Sequence, residues 1–109
     1  MEKDFYQNIF DVVREIPAGR VTSYGAIAKY LGAARSSRLV GWAMNLSHTQ
    51  AKDIPAHRVV NRNGLLTGKM HFNSPTEMED LLKADGVIVK DDKIQNFRSV
   101  FWDPEIELA

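Results

Sequence analysis

The chain has 109 residues, 44% hydrophobic and 26% charged, with a formal net charge of zero and no cysteine, which suits one modest core and a single domain, residues 1–109. The missing cysteines exclude disulfides, thiolate metal sites and thiol catalysis, and no other cluster of zinc-type ligands stands in the sequence. No apolar run approaches membrane-spanning length, and Met1-Glu2-Lys3-Asp4 lacks the basic and apolar regions of a signal peptide, so a cytoplasmic monomer without a membrane partner is expected.

Zero net charge argues against a protein that grips nucleic acid by bulk charge, but the charges are unevenly placed. Residues 1–34 are balanced. Residues 35–71 carry Arg35, Arg38, Lys52, Arg58, Arg62 and Lys69 against Asp53 alone, a net of +5, and residues 72–109 carry a net of −5. On charge alone, the basic segment is either a face for an anionic partner or a solvated surface with accidental clustering.

Phe5, Ile9, Val12, Val13 and Ile16 recur at helical spacing, and Pro17-Ala18-Gly19 stops the pattern, so a first helix is predicted over 4–16. Ser23 is a suitable N-cap for a short helix with Ile27, Ala28 and Leu31 inward and Gly32 as its stop. Ser36 or Ser37 can start another helix reaching about Leu46, and two short helices joined by a tight connection read as a helix-turn-helix. In the second, Val40, Ala43 and Met44 point one way, while Ser37, Arg38, Gly41 and Asn45 share the other face. Glycine inside a helix costs about 1 kcal/mol relative to alanine, so Gly41 implies a close approach, either by another molecule's backbone or by another part of this chain.

The polar stretch 47–53 reads as a surface loop. Asn63-Gly64 between Val59-Val60 and Leu65-Leu66 signals a hairpin or wing, and Ser74-Pro75-Thr76-Glu77 has the spacing of a capping box, with a helix beginning at Pro75. Gly86 ends that helix, and 87–89, a polar turn and 94–97 suggest a small hairpin. The whole is a mainly α fold with a small β-hairpin.

Between the helices and the wing lies Pro55-Ala56-His57-Arg58-Val59-Val60-Asn61. A histidine after a proline-fixed turn could serve as base to a neighbouring nucleophile, but Ala56 has nothing to deprotonate. Pro-x-His-Arg-Val-Val resembles the active-site turn of the O6-alkylguanine-DNA alkyltransferases, in which x is the alkyl-accepting cysteine. Val21-Thr22-Ser23-Tyr24-Gly25-Ala26-Ile27-Ala28 and Arg38-Leu39-Val40-Gly41 also look like that family, in its order and close to its spacing. Without cysteine, the chain is most similar to the alkyltransferase-like proteins, which carry Ala or Trp at that position and bind alkylated DNA without repairing it directly. Phe101-Trp102-Asp103-Pro104 is similar to their Trp-x-Pro ending.

The resemblance implies a winged helix-turn-helix-like domain of the alkyltransferase C-terminal type that binds DNA through the minor groove. Arg38 would fill the space left by a flipped nucleotide, and Tyr24 would crowd the adjacent phosphate. Ser37, Gly41 and Arg62 complete the expected DNA contacts; Tyr24, Ala56, His57, Val59 and Lys69 are the expected alkylguanine pocket. No catalytic residue, metal or cofactor is implied. The loss of the thiol predicts that groups larger than methyl fit beside Ala56. In the family the histidine is oriented by a glutamate in Leu-x-x-Glu-Gly; here Leu82-Lys83-Ala84-Asp85-Gly86 supplies a shorter acid, contact with His57 stays open, and His57 is given a structural role. The implied partners are double-stranded DNA containing O6-alkylguanine and nucleotide excision repair proteins. A winged helix-turn-helix transcription regulator is the alternative, and it gives residues 55–61 no job. A His57–Asp85 hydrolase lacks a nucleophile, a metal site and an oxyanion hole.

Overall fold

The first helix, α1, spans Phe5–Arg14, and its N-cap is Asp4, whose carboxylate accepts the Gln7 amide at 2.9 Å. This computed structural model describes residues 4–50 and 53–109, the side chains of Thr49 and Gln50 excepted; Lys52 of the basic segment lies outside them. Ile9, Phe10, Val12 and Val13 form the buried stripe of α1. The helix closes before the expected Ile16 because Glu15 caps it and Pro17 cannot extend it. Ile16 is buried all the same.

A two-residue strand β1, Thr22–Ser23, runs straight into α2, Tyr24–Tyr30, where the Ser23 hydroxyl accepts the Ala26 amide as the N-cap. Gly32, at φ +77°, turns the chain out of α2 toward α3, Ser37–Gln50. Val40, Ala43 and Met44 of α3 pack with Ile27 and Ala28 of α2 and with the stripe of α1, forming the first of two core clusters. Helix α3 runs well past Leu46 into the stretch expected to be loop. Ser47 is buried, its hydroxyl donates to the Met44 carbonyl at 2.6 Å, and no proline or glycine intervenes before Pro55.

After a single 3-10 turn, Ala56–Arg58, the strand β2, Val59–Val60, pairs in parallel with β1 in the register Thr22 to Val59 and Ser23 to Val60. The expected Val59–Leu66 hairpin is therefore not how β2 is held. Asn61 closes the following turn by accepting the Asn63 and Leu65 amides on its side-chain oxygen. The outgoing limb then leaves β2: Leu65 bridges Lys93, and the Leu66 amide donates to the Asp92 carbonyl.

Helix α4, Glu77–Ala84, begins two residues later than the Ser74-Pro75 pattern predicts, with Thr76 as an N-cap that makes no side-chain capping bond. The Ser74 hydroxyl instead lies 3.5 Å from that of Thr76. The hairpin of β3, Val89–Lys90, and β4, Lys93–Ile94, is shorter than expected. Its two-residue turn places both Asp91 and Asp92 at positive φ, as a type I′ turn requires. Short helices α5, Phe97–Val100, and α6, Pro104–Glu107, flank Trp102, which is buried and donates its amide to the Val21 carbonyl. Val21 and Val60 belong to the second core cluster with Leu66, Met78, Leu82, Val87, Val89 and Ile94, so the β1–β2 pair lies at the seam between the two clusters.

Candidate functional site

The β1–β2 pair decides the site. Tyr24 follows β1 and Ala56 precedes β2 by three residues, so a parallel register that matches Thr22 with Val59 brings the start of α2 beside the 3-10 turn. Helix α3 supplies the facing wall through Arg38, Gly41, Asn45 and His48, which recur three or four apart and so form one stripe. The third wall is the loop Thr67–Phe72.

Two connected spaces lie between these walls. The outer one is a groove of about 510 Å³ bordered by Tyr24, Arg38, Gly41, Trp42, Asn45, Thr67, Gly68 and His71, a size typical of small-molecule sites, about 300–1,000 Å³. The inner one is a recess of about 20 Å³ reached past Tyr24, Gly41, Asn45, Gly68 and His71, with Met44, Ala56, Val59, Phe72 and Met78 on its walls. That volume suits one water or methyl group. The expectation that larger groups fit beside Ala56 does not hold in this conformation, because Met44, Met78 and Phe72 take up the space. The His48 ring meets Phe72 edge to face with centroids 4.4 Å apart at this wall of the recess.

Two glycines shape the groove. A Cβ added at Gly41 would meet nothing from the rest of the described protein within 4 Å, so the surface of α3 is open at that point. A Cβ at Gly68 would lie 2.8 Å from the Tyr24 hydroxyl, so the loop can come this close only as glycine. Burial pushes the Tyr24 phenol above its ordinary pKa against a hydrogen bond with Thr67, and burial likewise lowers that of His48. Near neutral pH both groups are uncharged hydrogen-bonding side chains.

The structure brings together Tyr24, Arg38 and Gly41 in the groove and Ala56 and Val59 in the recess. It does not bring the others there. His57 faces away: its Nε2 lies 2.9 Å from Asp85 Oδ2, so the shorter acid does reach it. Arg58 shares that carboxylate, Nε to Oδ2 at 2.8 Å and Nη2 to Oδ1 at 3.2 Å, and its Nη1 donates to the Ile16 carbonyl at 2.9 Å. Arg58 first, then His57, hold the Asp85 carboxyl below its ordinary pKa, while burial outweighs Asp85 and lowers that of His57. The cluster is a clamp joining the end of α1, the turn 56–58 and the end of α4. Lys69 pairs with Asp92 in the β3–β4 turn and points away from the recess, since the outgoing limb follows β4 and not β2. Ser37 begins α3 but is not a wall of the groove, and Arg62 borders a different depression.

Sequence reasoning missed Trp42, His48, Thr67, Gly68, His71, Phe72 and Met78 as walls. His48 was hidden by the polar composition of 47–53; continuing the stripe Arg38–Gly41–Asn45 by one more turn would have found it. Trp42 carried a signal, a large apolar residue beside the polar face, and it is 64% exposed at the groove.

A helix-turn-helix of α2 and α3, with a small β-hairpin in the neighbouring core cluster and an open groove on the second helix beside an apolar recess, defines a winged helix-turn-helix-like domain. Residues 4–87 match the family described as 6-O-methylguanine DNA methyltransferase, DNA binding domain, and the chain belongs to that family. It is 31% identical over 105 residues to Alkyltransferase-like protein 1 of Schizosaccharomyces pombe, covering 93% of this chain and 96% of that one. It is 39% identical over 93 residues to the DNA base-flipping protein of Escherichia coli, covering 82% and 68%. The crystal structure of S. pombe Atl1 in complex with damaged DNA containing O6-carboxymethylguanine superposes with a TM-score of 0.78 at 34% identity, over 95% of this chain and all of that one. The cysteine-free chain is thus an alkyltransferase-like member of the family, with that fold.

Proposed function

We propose that this protein is a non-enzymatic sensor of O6-alkylguanine in double-stranded DNA. The observation that carries the reading is the position of Ala56: it lies in an apolar recess opening onto the groove that Tyr24 and Arg38 border, and no thiol stands anywhere in the chain. The likeness to a relative solved on damaged DNA and to one named for base flipping supports it.

Extruding a nucleotide costs a few kcal/mol, which protein contacts must offset. Helix α3 enters the minor groove with Gly41 letting the sugar-phosphate backbone come close. Arg38 takes the vacated place in the stack, where a planar guanidinium can both stack and donate hydrogen bonds. Tyr24 crowds the neighbouring phosphate, the purine occupies the groove, and its O6-alkyl group enters the recess. Ala56 occupies the alkyl acceptor's place and offers no nucleophile, and His57 is engaged by Asp85 and not by a reacting group. The lesion stays intact. The bound complex marks the site for nucleotide excision repair proteins in the cytoplasm and excludes alkyltransferases from it, with the protein acting as a monomer. A regulator reading unmodified sequence would have no use for the recess.

A titration of short duplexes containing guanine, O6-methylguanine or a bulkier O6-alkylguanine, followed by analysis of the recovered base, tests this. Tighter binding to the lesion duplexes with unaltered lesion is expected. Equal binding to all duplexes supports a regulator, and a released or changed base supports an enzyme; either overturns the proposal.

A further inference from the structure

Ser23, the residue before Tyr24, borders a second depression of about 390 Å³ together with Arg62, Phe97, Arg98 and Phe101. Two aromatic rings line it. The Phe97 and Phe101 rings meet edge to face with centroids 5.5 Å apart, and Phe97 is seated against Gly64, where an added Cβ would lie 3.2 Å from the ring. Arg62 and Arg98 are exposed, and neither makes an ion pair or side-chain hydrogen bond among the described residues. No carboxylate lines the depression, although Arg98 comes from the acidic last third of the chain. Two cations over an apolar floor complement a ligand with anionic groups and an apolar face. A stretch of sugar-phosphate backbone has both: phosphates for the guanidiniums, and deoxyribose carbons for the rings.

We propose that this depression binds the DNA strand flanking the everted nucleotide, as a second phosphate-binding subsite beside the groove. It rests on the DNA-binding reading above. Proximity favours DNA over an acidic protein partner: Ser23 at the edge of this depression and Tyr24 at the edge of the groove are neighbours in the chain, so a strand whose phosphate meets Tyr24 passes close to the two arginines. Arg62 also belongs to the segment of net charge +5.

The test uses full-length Arg98→Ala and Arg98→Lys proteins, checked for unchanged thermal unfolding, with affinities for unmodified and O6-methylguanine duplexes measured across salt concentrations. Arg98→Ala should lower the magnitude of the slope of log affinity against log salt by about one, as expected for one lost phosphate contact, and Arg62→Ala/Arg98→Ala by about two. Both duplexes should weaken by the same factor, so that the lesion preference is unchanged, and Arg98→Lys should keep the slope. An unchanged slope in the alanine variants overturns the proposal, as does a change confined to the lesion duplex. The unmodified duplex keeps the two readings separable: absent lesion preference in the unaltered protein defeats the sensor, while the slope still reports on Arg98.

Discussion

Arg38→Ala should weaken binding to an O6-methylguanine duplex by roughly 5-fold to 150-fold, the loss expected when a base-stacking contact worth about 1–3 kcal/mol is removed. Binding to unmodified DNA should fall much less, about threefold at most, because there the guanidinium contributes one screened phosphate contact. The structure makes the experiment clean. Arg38 is exposed at the groove and in no ion pair among the described residues, so its removal leaves the core untouched. Fluorescence anisotropy with both duplexes at one salt concentration reads the two losses side by side. Equal losses would mean that Arg38 is an ordinary backbone contact and not the residue that fills the emptied stack.

The second large effect is on stability. Asp85→Asn leaves Arg58, 18% exposed, without its countercharge and removes the carboxylate that holds the His57 ring, 12% exposed. Breaking a buried pair costs about 3–5 kcal/mol, and partial solvent access lowers the expected loss here to about 2–3 kcal/mol. For a domain of this size the melting temperature should fall by about 10–15 °C. The pH dependence has a definite sign. The Asp85 carboxyl titrates below its ordinary value of 3.8, so its contribution is present above that pH and is lost as pH falls through the lowered value. His57 also titrates below its ordinary value, 6.5, so the unfolded chain takes up that proton first, and stability begins to fall below about that pH. Denaturant midpoints measured by circular dichroism from pH 8 to 3 should therefore decline in two stages. The lower stage should flatten in Asp85→Asn. A variant as stable as the parent would show that the clamp is a solvated surface pair.

The parts legible in the sequence were those with local causes. The apolar spacing of Ile9, Val12 and Val13, the Ser23 cap and the two-faced pattern of Val40, Ala43 and Met44 each reflect contacts within one helix or its cap, and each recurs in the structure. The parallel pairing of Thr22–Ser23 with Val59–Val60 was not legible, because the partners are 37 residues apart and both strands are only two residues long. That one pairing places Tyr24 beside Ala56, so the motifs were readable while their juxtaposition was not. Lys69 illustrates the same limit. Its direction depends on Asp92, held at φ +60° in a turn 23 residues away, and the local pattern of the wing says nothing of it. The start of α4 differs from its local pattern for another reason: Ser74-Pro75-Thr76-Glu77 satisfies a capping pattern, yet the chain uses it as a turn leading into the helix.

The central claim, that the recess beside Ala56 receives the alkyl group of a damaged guanine, is tested most directly by methyl NMR on protein labelled at alanine and methionine methyl groups. Ala56, Met44 and Met78 line the recess, and the 77% exposed Met70 reports general contact with DNA. An O6-methylguanine duplex should shift the Ala56, Met44 and Met78 resonances and show close contacts from them to the lesion methyl, while an unmodified duplex leaves all three in place. Identical spectra with the two duplexes, or lesion-dependent shifts at Met70 alone, would contradict the account.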